Sequence, residues 1–181
     1  FGFSGPAGNS FNTGYLILPA FAEFIKVDDD AFWMRTLRDS QRLLEKAAFS
    51  RLKLPADWVA LENGQVTIAA ARSPFFGYEA IRAPLYLAWD GSGGQPSAFV
   101  EYLQFVERAG YLPNRVNLVD GSVDVEEAPA GFYAVMGLSA QRAGREGLAQ
   151  KLFQDATSKI AREPKDYYSN TLFLLATGRM D

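Results

Sequence analysis

Seven stretches of helical periodicity follow one another along the chain, and they alternate in kind. Those at residues 15–27, 77–89, 131–143 and 165–177 are apolar on most faces, whereas those at 28–51, 96–109 and 144–162 keep their apolar residues to one stripe. In the second stretch, for example, Phe32, Trp33, Leu37, Leu43, Leu44 and Ala47 recur at helical spacing. A helix that is apolar on most faces must be surrounded, while an amphipathic one covers a single stripe and leaves the rest to water. Short connections pair the two kinds into antiparallel hairpins. Concentric rings of helices satisfy both kinds at once, so the pattern predicts an all-α toroid of helix hairpins. Three hairpins and a closing helix make half to two-thirds of such a ring. An ordinary helical-repeat array stays open on the pattern alone.

The connections carry matching signals. Asp28-Asp29-Asp30 supplies an N-cap and first-turn acids for the second helix, and Pro96 suits a first helical position after the breaker Asp90-Gly91-Ser92-Gly93-Gly94. Trp58-Val59-Ala60-Leu61 and Gln65-Val66-Thr67-Ile68 flank Asn63-Gly64, a pair that favours the positive-φ turn of a β-hairpin. That hairpin is too short for a core sheet. Residues 115–125 read as a second extended excursion around Asp120-Gly121, and residues 1–14, rich in Gly, Ser and Asn, read as a loop or a cut end.

Composition removes whole classes of chemistry. The 181 residues are 48% hydrophobic and 22% charged, as in a single globular domain spanning 1–181, and they include no Cys and no His. Thiol nucleophiles, Ser-His nucleophiles, histidine acid–base pairs and most zinc sites are thereby excluded, and no cofactor or metal is implied. Carboxylates, Tyr, Lys and Arg remain. The net charge of −3 comes from interspersed signs, so nucleic acid is not an expected partner. Nor does any apolar stretch reach the roughly 20 residues of a membrane-spanning helix.

The polar residues left to do chemistry cluster at helix starts. Three of the apolar helices are predicted to open with tyrosine, at Tyr15, Tyr78 and Tyr167-Tyr168, and two carry a carboxylate beside it, at Glu79 and Asp166. Alternate helices of hairpins run parallel, which brings these starts to one mouth of the ring. Aromatic faces with a few carboxylates and an arginine suit a carbohydrate groove, and two carboxylates can cleave a glycosidic bond without metal or His. On spacing alone the simpler reading remains an i,i+3 ion pair of Glu79 with Arg82 and core tyrosines bonded to nearby backbone. Pro84, inside the third stretch, requires an irregular first turn or a helix start nearer Ala83.

Gly77-Tyr78-Glu79-Ala80-Ile81-Arg82-Ala83-Pro84-Leu85 does not stand alone. Before it come Gly14-Tyr15-Leu16 with Pro19-Ala20-Phe21, then Leu54-Pro55-Ala56-Asp57-Trp58; after it comes Tyr167-Tyr168-Ser169-Asn170-Thr171-Leu172. In order and spacing these four segments resemble glycoside hydrolase family 8 over nearly the whole chain. The resemblance implies an (α/α)6 barrel that cleaves β-1,4-linked glucan of the cellulose type with inversion, as an endo-acting cellulase. It makes Glu79 the base that activates water, Arg82 its neighbour, and Tyr15, Tyr78, Tyr167 and Tyr168 substrate contacts. The family commonly has Asp where this chain has Glu79. Its general acid is a Glu of the N-terminal half, which no segment here resembles, so 1–181 is expected to be the C-terminal half to two-thirds of the catalytic domain. Phe1-Gly2-Phe3-Ser4, without an initiator Met or a signal pattern, fits an interior or processed end.

The resemblance further implies a monomer, secreted or periplasmic, whose partners are β-glucan and the N-terminal half of the same enzyme. Xylan and chitosan are alternative substrates on the same fold, although a chitosanase would call for an acidic cluster that these segments lack. From a different class, a non-catalytic carbohydrate-binding toroid would keep the aromatic mouth without the chemistry.

Overall fold

The computed structural model describes residues 2–5, 8–89, 98–162 and 164–178. Among them are seven α-helices: α1 (Leu18–Phe24), α2 (Asp30–Lys46), α3 (Arg82–Trp89), α4 (Val100–Ala109), α5 (Ala130–Arg142), α6 (Glu146–Ile160) and α7 (Tyr167–Thr177). Six strands accompany them: β1 (Gly2–Gly5), β2 (Gly8–Asn12), β3 (Trp58–Glu62), β4 (Gln65–Ile68), β5 (Phe75–Phe76) and β6 (Val116–Asn117). The breaker 90–94 and Pro96 lie outside the described residues.

Helix α5 is the hub. It is buried from Ala130 through Ala140 and packs against α6, α7 and α3, as a helix apolar all round must. By contrast α6 buries only Leu148, Ala149, Leu152 and Ala156, one stripe of its surface. Close approach of α5 to α7 depends on Gly131: a Cβ there would lie 2.4 Å from the Ser169 carbonyl oxygen, and the Gly131 amide donates to Ser169 Oγ at 2.8 Å. Helix α1 packs against α2 and α3, with Phe21 and Phe24 on the Trp33 ring at 5.7 and 4.6 Å between centroids. Phe32 and Met34 of α2 and Leu174 of α7 remain exposed. No helix among the described residues is long and apolar enough to cross a membrane.

Several boundaries differ from the periodicity, each for a physical reason. Residues 13–15 form a 3-10 turn, and α1 begins only at Leu18, with Pro19 in its first turn. Helix α2 stops at Lys46 because Ser50 and Lys53 take positive φ and Phe49 bridges to Leu54. Helix α3 starts at Arg82; the residues before it turn through short bonds, Arg82 N to Glu79 O at 3.4 Å and Ala83 N to Ala80 O at 2.9 Å. Pro84 thus sits where no amide donor is missed. Of the three tyrosine-led starts only Tyr167 is a first helical residue, while Tyr15 and Tyr78 stand in turns ahead of α1 and α3.

The largest departure is at the start of the chain. In place of a loop, β1 and β2 add to the predicted hairpin β3–β4, making an antiparallel sheet ordered β1-β2-β3-β4. Polar, Gly-rich strands have little intrinsic β preference; the free edge of β3 supplies it, pairing Asn9 with Leu61 through Asn12 with Trp58. Asn63 and Gly64 take the positive φ that the β3–β4 turn needs. The second excursion pairs β6 with β5 and turns at Gly121, φ +77°.

Candidate active site

The starts of four helices meet at one end of the molecule. The Arg82 guanidinium, at the start of α3, lies 5.3 Å from the Tyr15 ring centroid ahead of α1. The Tyr78 ring packs edge-on against Phe132 of α5 at 5.0 Å and faces Tyr168 of α7 at 6.0 Å. The Tyr168 hydroxyl donates to the Tyr78 carbonyl. Convergence therefore follows from inner helices running the same way, and it brings Tyr15, Tyr78, Glu79, Arg82 and Tyr168 together. Tyr167, at the start of α7, is 83% exposed and, among the described residues, makes no ring contact with them.

Glu79 sits in the turn, not in the helix, and its backbone is held from below. Asp57, 7% exposed, accepts through Oδ1 from the amides of Gly77, Glu79 and Ala80 at 3.0, 3.1 and 2.9 Å, and through Oδ2 from Ser73 Oγ at 2.9 Å. Three amide donors from residues 77–80 on one carboxylate oxygen do for this turn what an N-cap does for a helix. Burial pushes the Asp57 carboxyl above the usual range, and bonds from Ala80, Ser73, Gly77 and Glu79 oppose that rise.

The Glu79 carboxylate is gripped at a single oxygen. Its Oε2 accepts from the Arg82 guanidinium and from Asn12 Nδ2, the latter at 2.9 Å. Among the described residues none donates to Oε1, and the Glu79 side chain is 37% exposed. Arg82 is the less exposed partner, at 20%, and its Nε also donates to the Glu79 carbonyl at 3.3 Å. A carboxylate with one oxygen anchored by a cation and an amide, and the other open at a tyrosine-lined surface, can accept a proton from a bound water.

The site includes residues that sequence reasoning did not single out. Asn12 is 1% exposed and reaches Glu79 across 67 positions of sequence. Asp57 stands in the sequence only as part of the Leu54–Trp58 segment, although an acid among Leu54, Ala56 and Val59 signals a buried carboxylate in need of donors. Arg115 layers its guanidinium over Tyr78 and Phe75, at 5.5 and 5.7 Å from the ring centroids. Gly14 lets the 3-10 turn lie against the Glu79 turn, since a Cβ would fall 2.2 Å from the Glu79 carbonyl oxygen and 2.7 Å from Arg82 Nε. Gly14→Ala should accordingly cost about 1–3 kcal/mol in denaturant unfolding, the range for overpacking against backbone that cannot give way.

The Tyr168 hydroxyl is raised well above the ordinary tyrosine value, first by burial, with Arg82 lowering it and Glu79 raising it. It stays protonated and serves as a donor to backbone, as the simpler sequence reading has it for core tyrosines.

Comparison with known proteins fits this arrangement. The family model described as "Glycosyl hydrolases family 8" matches residues 1–180. A probable endoglucanase of Novacetimonas hansenii is 29% identical over 178 residues, covering 96% of this chain and 48% of that protein. The solved endo-β-1,4-glucanase of Acetobacter xylinum superposes with a TM-score of 0.79 at 28% identity, over 97% of this chain and 52% of the other. An endo-1,4-D-glucanase from Vibrio fischeri, at 18% identity, shares the fold with a TM-score of 0.82, over 94% of this chain and 50% of its own. The chain thus spans about half the length of these relatives. Its hairpins are those of an (α/α)6 barrel, of which it supplies about half.

Proposed function

The chain belongs to glycosyl hydrolases family 8, and from that premise we propose that it is part of an endo-acting enzyme that hydrolyses β-1,4-linked glucan with inversion. The observation that carries this reading is the Glu79 carboxylate, clamped at Oε2 and open at Oε1, at a surface lined by Tyr15, Tyr78 and Tyr168. In an inverting reaction a base draws a proton from water as it attacks the anomeric carbon. An acid on the opposite face of the sugar protonates the departing glycosidic oxygen, and the two carboxyl groups stand about 6.5–9.5 Å apart. Glu79 is the base. Arg82 keeps positive charge beside it, and the tyrosine rings offer faces on which sugar C–H surfaces stack. Both similar endoglucanases over the full chain support glucan over xylan or chitosan as the polymer.

Two other carboxylates near this end are already engaged. Asp57 is buried beneath four donors, and Asp166 caps α7 by accepting from Ser169 N at 2.9 Å. We take the proton donor to come from a part of the barrel beyond these residues and read 1–181 as the C-terminal portion, a reading that the coverage of about half of each relative supports. We infer a secreted or periplasmic enzyme, a reading supported by a polymer substrate too large to enter the cell. The test compares reducing-end release from carboxymethylcellulose by residues 1–181 and by the full-length protein. The full-length protein should turn over and 1–181 should not; robust hydrolysis by 1–181 would show that both carboxyl groups lie within it. Glucan binding without turnover by the full-length protein would favour a non-catalytic toroid.

A further inference from the structure

We propose that Asn12 is a positioning residue that selects which oxygen of Glu79 acts as the base. The inference rests on the reading of Glu79 given above. Asn12 ends β2, paired with Trp58, so its neighbour across the sheet is one residue from Asp57. The same sheet end thus grips Glu79 twice: Asp57 holds its backbone amide and Asn12 holds its carboxylate.

The orientation of the Asn12 amide follows from its two partners. Its Oδ1 accepts from Gly14 N at 2.9 Å, which caps the 3-10 turn, so Nδ2 must face the carboxylate. Thr13 secures the same segment, donating from its amide to Asp57 O at 3.2 Å and from Oγ1 to Ala56 O at 2.8 Å. Asn12 is therefore a rigid donor with no freedom to swing away. Arg82 alone could pair with either carboxylate oxygen by a small rotation of the carboxyl group. A second donor at Oε2, from the opposite side of the chain, removes that rotation and leaves Oε1 as the oxygen that meets water. Asn12 touches neither sugar nor water in this scheme; it acts through Glu79.

The test uses the full-length protein. Asn12→Ser keeps a capping acceptor for the Gly14 amide but is too short to reach Glu79. It should lower kcat about tenfold, the order set by one hydrogen bond to a charged group, with KM little changed. Asn12→Asp keeps the shape and the cap yet sets a negative charge against Oε2, so kcat per folded site should fall at least as far. A merely structural role would reduce the amount of folded enzyme and leave kcat per folded site unchanged, so an unchanged kcat per folded site in either variant overturns the proposal. Glu79→Gln, measured alongside, separates the two failures. If it abolishes turnover while the Asn12 variants keep kcat per folded site, only the positioning role is wrong; if it leaves turnover intact, the base itself is misassigned.

Discussion

The Glu79→Gln form of the full-length protein should bind cello-oligosaccharide as the parent does and turn it over about 10²–10⁴-fold more slowly, the usual contribution of a general base. The substitution is close to isosteric. A glutamine oxygen can still accept from Arg82 and Asn12 at the Oε2 position, so the turn and the clamp should persist and KM should stay within a few-fold. What is lost is the ability to take a proton at the Oε1 position. Single-turnover rates with affinities from calorimetry would separate the two effects. An unchanged rate would move the base to another residue, and a collapse of both affinity and rate would mean that Gln disturbs the clamp.

Asp57→Ala should be the most destabilising single change at the site, by about 3–5 kcal/mol in denaturant unfolding. It strips four donors of their acceptor, three of them amides of one turn. Each buried donor left unsatisfied costs about 1–3 kcal/mol, and the losses are less than additive because the turn can relax towards solvent. Asp57→Asn should cost less, since its oxygen can still receive the Gly77, Glu79 and Ala80 amides while its NH₂ group meets Ser73 Oγ in place of an acceptor. The order Ala worse than Asn would identify hydrogen bonding, not volume, as what Asp57 contributes. Equal effects would point instead to its negative charge.

Much of the fold was legible because helix formation is local. The contrast between an all-round apolar α5 and a one-stripe α6 is visible in the residues themselves, as is the cap in Asp28-Asp29-Asp30, where Asp29 accepts from Phe32 N. The Asn63-Gly64 turn announced the β3–β4 hairpin for the same reason. The strands β1 and β2 were not legible, because Gly-rich segments acquire strand structure only from the edge they join. Helix starts were misplaced at Tyr15 and Tyr78, where tight turns continue the helical spacing without its bonds.

At the site itself, residue types and order were enough to mark Glu79 and Arg82 as a pair with tyrosines at a common mouth, since both are consequences of local spacing and of hairpin direction. Tertiary structure alone decided how the carboxylate is held. Asn12 lies 67 positions from Glu79 and Asp57 lies 22, and a hydrogen bond exists only when donor and acceptor come within about 3 Å in the right direction. Spacing along a chain carries no such information across a sheet. The packing of β2 on β3 brought both residues under one turn, and with them the difference between a surface ion pair and a carboxylate with one oxygen fixed and one free.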